Sequence, residues 1–321
     1  MTMTAISVTG LRKRSGRHAA LDGLDLEACT GEVHGFLGPN GAGKTTTLRV
    51  LLGLLHGDGG AASVLGLDPW CDAARLHRRL AFVPGDVSLW PNLTGGEVID
   101  LLGALRGGMD PARRAELIER FQLDPGKKCR TYSKGNRQKV ALVAAFASPV
   151  ELYLLDEPTS GLDPLMMAVF QDVVHEANAS GATVLLSSHI LSEVEALCDR
   201  LTIVRAGRTT ESGSFEELRH LTRTTVVVDT AAPLDGLALL PGVHDAVVDG
   251  THAEFSVGHA DLNRTLEHLV ARGVRSLQTS PPTLEELFLR HYADGADLVE
   301  PDAGPMPPAG GCDDRALEAV R

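Results

Sequence analysis

The stretch GEVHGFLGPNGAGKTTTLRVLLGLL, from Gly31 to Leu55, admits few folds. Residues 33–37 read as a buried strand and residues 45–55 as a helix with apolar side chains on more than one face, so Gly38, Gly41 and Gly43 must turn the chain between them. A strand feeding straight into a helix through so short a turn is one step of a parallel α/β layer. Glycine lets several backbone N–H groups point inward, and the new helix adds its own free N–H groups and the positive end of its dipole at the same spot. Such a nest suits phosphates. Lys44 supplies a mobile charge for β- and γ-phosphates, and the Thr45 hydroxyl stands where it can ligate a bridging Mg²⁺. The bare alternative is a glycine-rich turn with no ligand.

More than a hundred residues on, VELYLLDEPTSGLDP places a buried-type strand at residues 152–155, ending in Asp156 and Glu157. Carboxylates at the C-terminal end of a strand lie where open α/β sheets bind ligands. Asp156 would hold Mg²⁺ through water, and Glu157 would orient or deprotonate the water that attacks the γ-phosphate. A third apolar strand, residues 183–186, leads through two serines to His189, whose imidazole could hydrogen-bond the γ-phosphate or that water. In YSKGNRQKVALVAAFA, Ser133 and Gly135 precede a strong helix from Asn136 onward. They serve as ordinary capping residues, and the same geometry offers a second anion site that could reach the nucleotide of another subunit.

With 321 residues the chain exceeds the usual single domain, which predicts a main domain of about 200 residues or more plus an appendage. Residues 225–292 read as a small α+β unit, and residues 293–321, rich in Pro, Gly and Asp, as a disordered tail. The net charge of −12 argues against a broad nucleic-acid surface. No uncharged apolar run of about 18 residues occurs, the nearest, residues 140–155, being interrupted by Glu151. The N-terminus lacks an apolar signal core, so the cytoplasm is the expected compartment. Five cysteines without a CxxC pair give no metal-binding framework.

In this order, the motifs resemble those of the ATP-binding-cassette (ABC) transporter ATPases over residues 1–220. GPNGAGKTT is similar to the family's Walker A, LYLLDEP to its Walker B with Glu157 as catalytic base, YSKGN to its LSGGQ signature, SGLD (160–163) to its D-loop, and SSHI to its switch histidine. The resemblance implies a P-loop NTPase α/β core with a mixed sheet and a helical signature subdomain at about 90–148. The ATP-binding domain would span 1–222, followed by a small C-terminal α+β accessory domain at 223–292. It implies ATP and Mg²⁺ as cofactors, with nucleotide held by Gly38, Pro39, Asn40, Gly41, Ala42, Gly43, Lys44, Thr45 and Thr46, and by Ser133 and Gly135 across a head-to-tail homodimer or heterodimer. Thr45 and Asp156 would hold the metal, and Glu157 and His189 would be catalytic.

Residues 225–292 are similar to the C-terminal region of daunorubicin-resistance ATPases of ABC-2 type exporters. That implies a separate ABC-2 type transmembrane permease as partner, a peripheral place on the cytoplasmic face of the membrane, and no nucleic acid. Leu284, Leu287 and Phe288 fall at helical spacing, as on the core face of a terminal helix. Three departures stand out: Ser15 where the family stacks an aromatic ring on adenine, Gly85 then Asp86 where it carries a glutamine, and Lys134 and Asn136 within the signature. Two alternatives follow, a soluble ABC ATPase outside transport and a regulatory cassette with weak turnover.

Overall fold

A computed structural model describes residues 3–220, 223–258 and 261–280. They fall into two compact units, one ending at Ser212 and the other beginning at Gly213. Leu284, Leu287, Phe288 and the expected tail at 293–321 lie outside the described residues.

The first unit opens with a hairpin of β1 (Thr4–Ser15) and β2 (His18–Cys29). Then come β3 (Val33–Leu37), α1 (Lys44–Leu51), β4 (Gly59–Val64), α2 (Ala73–Leu76) and β5 (Leu80–Val83). Strand β4 pairs antiparallel with β1, completing a three-stranded sheet in the order β2-β1-β4. A helical segment follows, α3 (Gly95–Arg106), α4 (Pro111–Arg120) and α5 (Lys134–Phe146). The chain then alternates β6 (Leu152–Asp156), α6 (Pro164–Ala179), β7 (Thr183–Ser188), α7 (Leu191–Leu197), β8 (Arg200–Arg205) and β9 (Arg208–Ser214). These strands build a six-stranded sheet in the order β5-β6-β7-β3-β8-β9, parallel from β5 through β8.

Every residue of β3, β6 and β7 is buried, with no alternation along the strand. That is the burial of a parallel sheet covered on both faces. Helix α7 lies so close to β3 that a Cβ on Gly35 would stand 2.6 Å from Val194 Cγ1. Helix α1 buries Leu48 and Leu51 in the same core as Phe36, Leu154 and Leu185. The helical segment is bounded by strong local signals. Thr94 and Glu97 form a capping box at the start of α3, Gly107 ends it at φ 109°, and Asp110 caps α4 ahead of Pro111.

The second unit holds α8 (Phe215–His220), β10 (Arg223–Thr230), β11 (Val243–Asp249), β12 (His252–Gly258), α9 (Leu262–Ala271) and β13 (Val274–Ser280). Its sheet runs β11-β12-β10-β13, antiparallel throughout. This is the strand order of a split βαββαβ unit, with a 3-10 turn at Leu237–Leu239 where the first helix would stand. Val226, Val228, Phe255, Val257 and Leu269 form its own core.

Leu154 is fully buried in β6, directly before the strand end that carries two acids. Leu154→Ala is expected to lower the unfolding free energy by about 2–5 kcal/mol, read from urea denaturation followed by circular dichroism.

Candidate functional site

The parallel register brings three strand ends to one edge of the sheet. Leu37 pairs with Ser188 and Asp156 with Ser187, so the loops leaving β3, β6 and β7 begin side by side. This is where the sheet geometry places a ligand.

The loop after β3 is wedged against its neighbours. A Cβ on Gly38 would stand 2.4 Å from Val204 O, and one on Gly43 would stand 2.8 Å from Ala20 O. Gly43 also takes φ 108°, a left-handed conformation that glycine adopts without cost. Ala42 N–H donates to Pro39 O at 3.1 Å within the loop, and Gly207 N–H donates to Ala42 O at 3.0 Å from the turn between β8 and β9. No side chain caps the N-terminus of α1, so its first-turn amides keep their donors for another acceptor.

Lys44 is buried, and its Nζ donates to the loop's own carbonyls, Gly38 O at 2.5 Å and Pro39 O at 3.2 Å. Glu157 Oε1 stands 4.0 Å away. Burial pushes the ammonium's pKa below its usual value, against the opposing pull of Glu157 and Asp156. Asp156, also buried, accepts from Thr45 Oγ1 at 2.9 Å on one oxygen and from Ser187 Oγ at 2.5 Å on the other.

Glu157 leaves β6 at φ 46°, the left-handed region that a non-glycine residue rarely adopts. Its amide donates to Ser187 O at 3.0 Å, and His189 Nδ1 lies 3.1 Å from its Oε1. The contact is a hydrogen bond when the proton sits on Nδ1. Unlike Asp156, both partners reach solvent, His189 being 51% and Glu157 30% exposed.

The donor set fits a metal–triphosphate. One hydroxyl and one carboxylate converge at Thr45 and Asp156, hard oxygen ligands of the kind Mg²⁺ takes when phosphates and water complete its shell. Beside them stand an uncapped helix end and an ammonium hydrogen-bonded to loop carbonyls. No cluster of three or more His, Cys, Asp or Glu suited to a metal occurs among the described residues.

Ser133 and Gly135 lie elsewhere. The Ser133 hydroxyl accepts from Asn136 N at 3.3 Å as the N-cap of α5, which starts at Lys134, two residues earlier than its sequence suggests. A Cβ on Gly135 would meet Gly161 O at 2.3 Å, and Lys134 Nζ donates to Ser160 Oγ at 2.6 Å. The signature segment is thus fastened to the turn that follows Glu157. Ser15 stands exposed at the tip of the β1–β2 hairpin. Gly85 abuts the end of β6, where an added Cβ would come within 3.1 Å of Asp156 O and 3.4 Å of Glu157 Cβ. Ser187 escaped sequence reasoning, because only the β6–β7 register reveals that its hydroxyl meets Asp156.

The family model described as "ABC transporter" matches residues 21–160. A daunorubicin resistance ATP-binding protein, DrrA3 of Streptomyces coeruleorubidus, is 38% identical over 318 residues, covering 94% of this chain and 99% of that one. A linearmycin resistance ATP-binding protein, LnrL of Bacillus subtilis (strain 168), is 30% identical, covering 88% of this chain and 97% of its own length. Among solved structures, an ATP-binding subunit of an ABC transporter superposes with a TM-score of 0.63 at 31% identity, covering 68% of this chain and 92% of that one.

A left-handed backbone at a side-chain-bearing residue costs on the order of 1–3 kcal/mol. Glu157→Gly is therefore expected to raise the unfolding free energy by about 1 kcal/mol, measured by chemical denaturation without nucleotide.

Proposed function

This chain belongs to the ABC transporter family of ATP-binding proteins, and from that premise we propose that it is the nucleotide-binding subunit of an ABC-2 type export system, driving efflux of an antibiotic-like substrate through a permease on a separate chain. Its activity is ATP hydrolysis coupled to transport. The observation that carries the export reading is the similarity to a daunorubicin-resistance protein along nearly the whole of both chains.

In this reading the amides from Gly38 to Thr46 and the Lys44 ammonium bind the phosphates, and burial of Lys44 strengthens its attraction for them. Mg²⁺, held by Thr45 and through water by Asp156, would neutralise charge on the phosphates. Glu157 orients a water and takes its proton as the oxygen attacks the γ-phosphorus and the bond to ADP breaks. His189, hydrogen-bonded to Glu157, fixes the carboxylate and faces the same space. Proteins of this family act as dimers with a permease. Here each ATP is sandwiched between one subunit's phosphate loop and the Ser133–Gly135 segment of the other, in a homodimer or heterodimer at the cytoplasmic face of the membrane.

No helix among the described residues is long and apolar enough to cross a membrane. A surface recess of about 290 Å³, lined by Leu52, Leu54, Leu80, Phe82, Leu102 and Leu105 together with His77 and Arg106, offers the permease a mixed apolar and basic seat between the α/β core and α3. Leu54 and Leu105 are 62% and 72% exposed there.

Glu157→Gln is expected to keep ATP affinity, to cut hydrolysis by at least about 100-fold, and to accumulate an ATP-bound dimer on gel filtration. Unchanged turnover would show that another group is the base. Leu105→Asp is expected to release the chain from membranes containing its cognate permease, followed by vesicle flotation. Export itself is tested by ATP-dependent anthracycline transport in inverted vesicles carrying both chains, and failure across a panel of antibiotic-like compounds would overturn the substrate class.

A further inference from the structure

Two loops carry the groups assigned above to the attacking water, one after β6 with Glu157 and one after β7 with His189. A second carboxylate joins them. Glu193, in the first turn of α7 and only 3% exposed, accepts from Thr159 Oγ1 at 2.6 Å on one oxygen and from Ser188 Oγ at 2.9 Å on the other. Thr159 lies two residues beyond Glu157, and Ser188 immediately precedes His189. The Ser188 oxygen also accepts the Ile190 N–H at 2.9 Å, so a single hydroxyl fixes the backbone on both sides of His189.

The contact suits a carboxylate, which can accept both hydroxyl protons at once. An ionised carboxylate only accepts, so both hydroxyls must turn their protons toward Glu193, which leaves a Ser188 lone pair free for the Ile190 amide. Thr159 and Ser188 are themselves 8% and 2% exposed, so water does not compete for these bonds as it does at the surface.

We propose that Glu193 is a positioning residue for hydrolysis: by clamping Thr159 and Ser188 it sets the 3.1 Å approach of His189 to Glu157. The inference rests on the roles given to Glu157 and His189 above. It makes the carboxylate responsible for the alignment of reacting groups and gives it no part in holding the nucleotide.

The test is steady-state ATP hydrolysis by the full-length protein. A displacement of about 1 Å in a reacting group can cost on the order of 100-fold, so Glu193→Ala is expected to lower kcat by about 10- to 100-fold with KM for ATP within about twofold of the parent. Thr159→Val combined with Ser188→Ala should reproduce that loss. Glu193→Gln keeps the shape but can accept only one of the two hydroxyl protons, so its kcat should fall by only about threefold. It also keeps the test decisive if the alanine variant does not fold, since an unchanged kcat in Glu193→Gln would then overturn the proposal. Equal losses in kcat and in ATP binding, or an unchanged kcat in Glu193→Ala, would overturn it as well. Glu157→Gln and His189→Ala serve as controls. If those leave turnover intact, the reading of the site falls; if they stop turnover while Glu193→Ala does not, only the role of Glu193 falls.

Discussion

The Asp156 carboxylate binds the site into one object. One oxygen takes the hydroxyl of Thr45, 111 residues earlier in the chain, and the other takes the hydroxyl of Ser187 on the neighbouring strand. Burying an ion costs several kcal/mol, and hydrogen bonds to a charged group return about 1.5–3 kcal/mol each. The carboxylate is therefore tolerable only where both hydroxyls are in place, which makes its geometry a consequence of the β3–β7–β6 register. The ammonium of Lys44 faces the same constraint and meets it differently, by turning back onto the carbonyls of its own loop. Both charges make their hydrogen bonds with neutral groups, with the Glu157 carboxylate 4.0 Å from the ammonium as its ionic neighbour.

Much of this was legible in the chain itself. The glycine spacing, the position of Lys44 and Thr45, and the pair of acids after an apolar run are local patterns, and each maps to a strand end in the fold. What was not legible depends on register between distant strands. Ser187 and Glu193 look like unremarkable polar residues in TVLLSSHILSEVEALCD, and only the pairing of β7 with β6 and the packing of α7 show what they touch. The Ser133 cap was legible, but α5 begins directly after it at Lys134 and takes Gly135 into its first turn, two residues before the expected start at Asn136. Strand β13 is almost wholly exposed and carries no apolar alternation, so its residues give no strand signal of their own.

The departures from the family's motifs also acquire physical meaning. Lys134 stands where a second glycine is usual, and its ammonium is anchored to Ser160, so the added charge tightens the contact between the signature segment and the turn after Glu157. Gly85 stands where the family carries a glutamine, at a point where the end of β6 comes close, so a side chain there would press on the Asp156 carbonyl and the start of the Glu157 side chain.

The phosphate loop is held from three sides. Val204 O presses on Gly38, Ala20 O on Gly43, and the Gly207 amide fastens Ala42. A loop held in shape before a ligand arrives has little disorder to surrender on association, so its own backbone adds little to the entropic cost of binding there. Calorimetry of nucleotide binding to this chain would accordingly carry little contribution from the ordering of the loop's glycines.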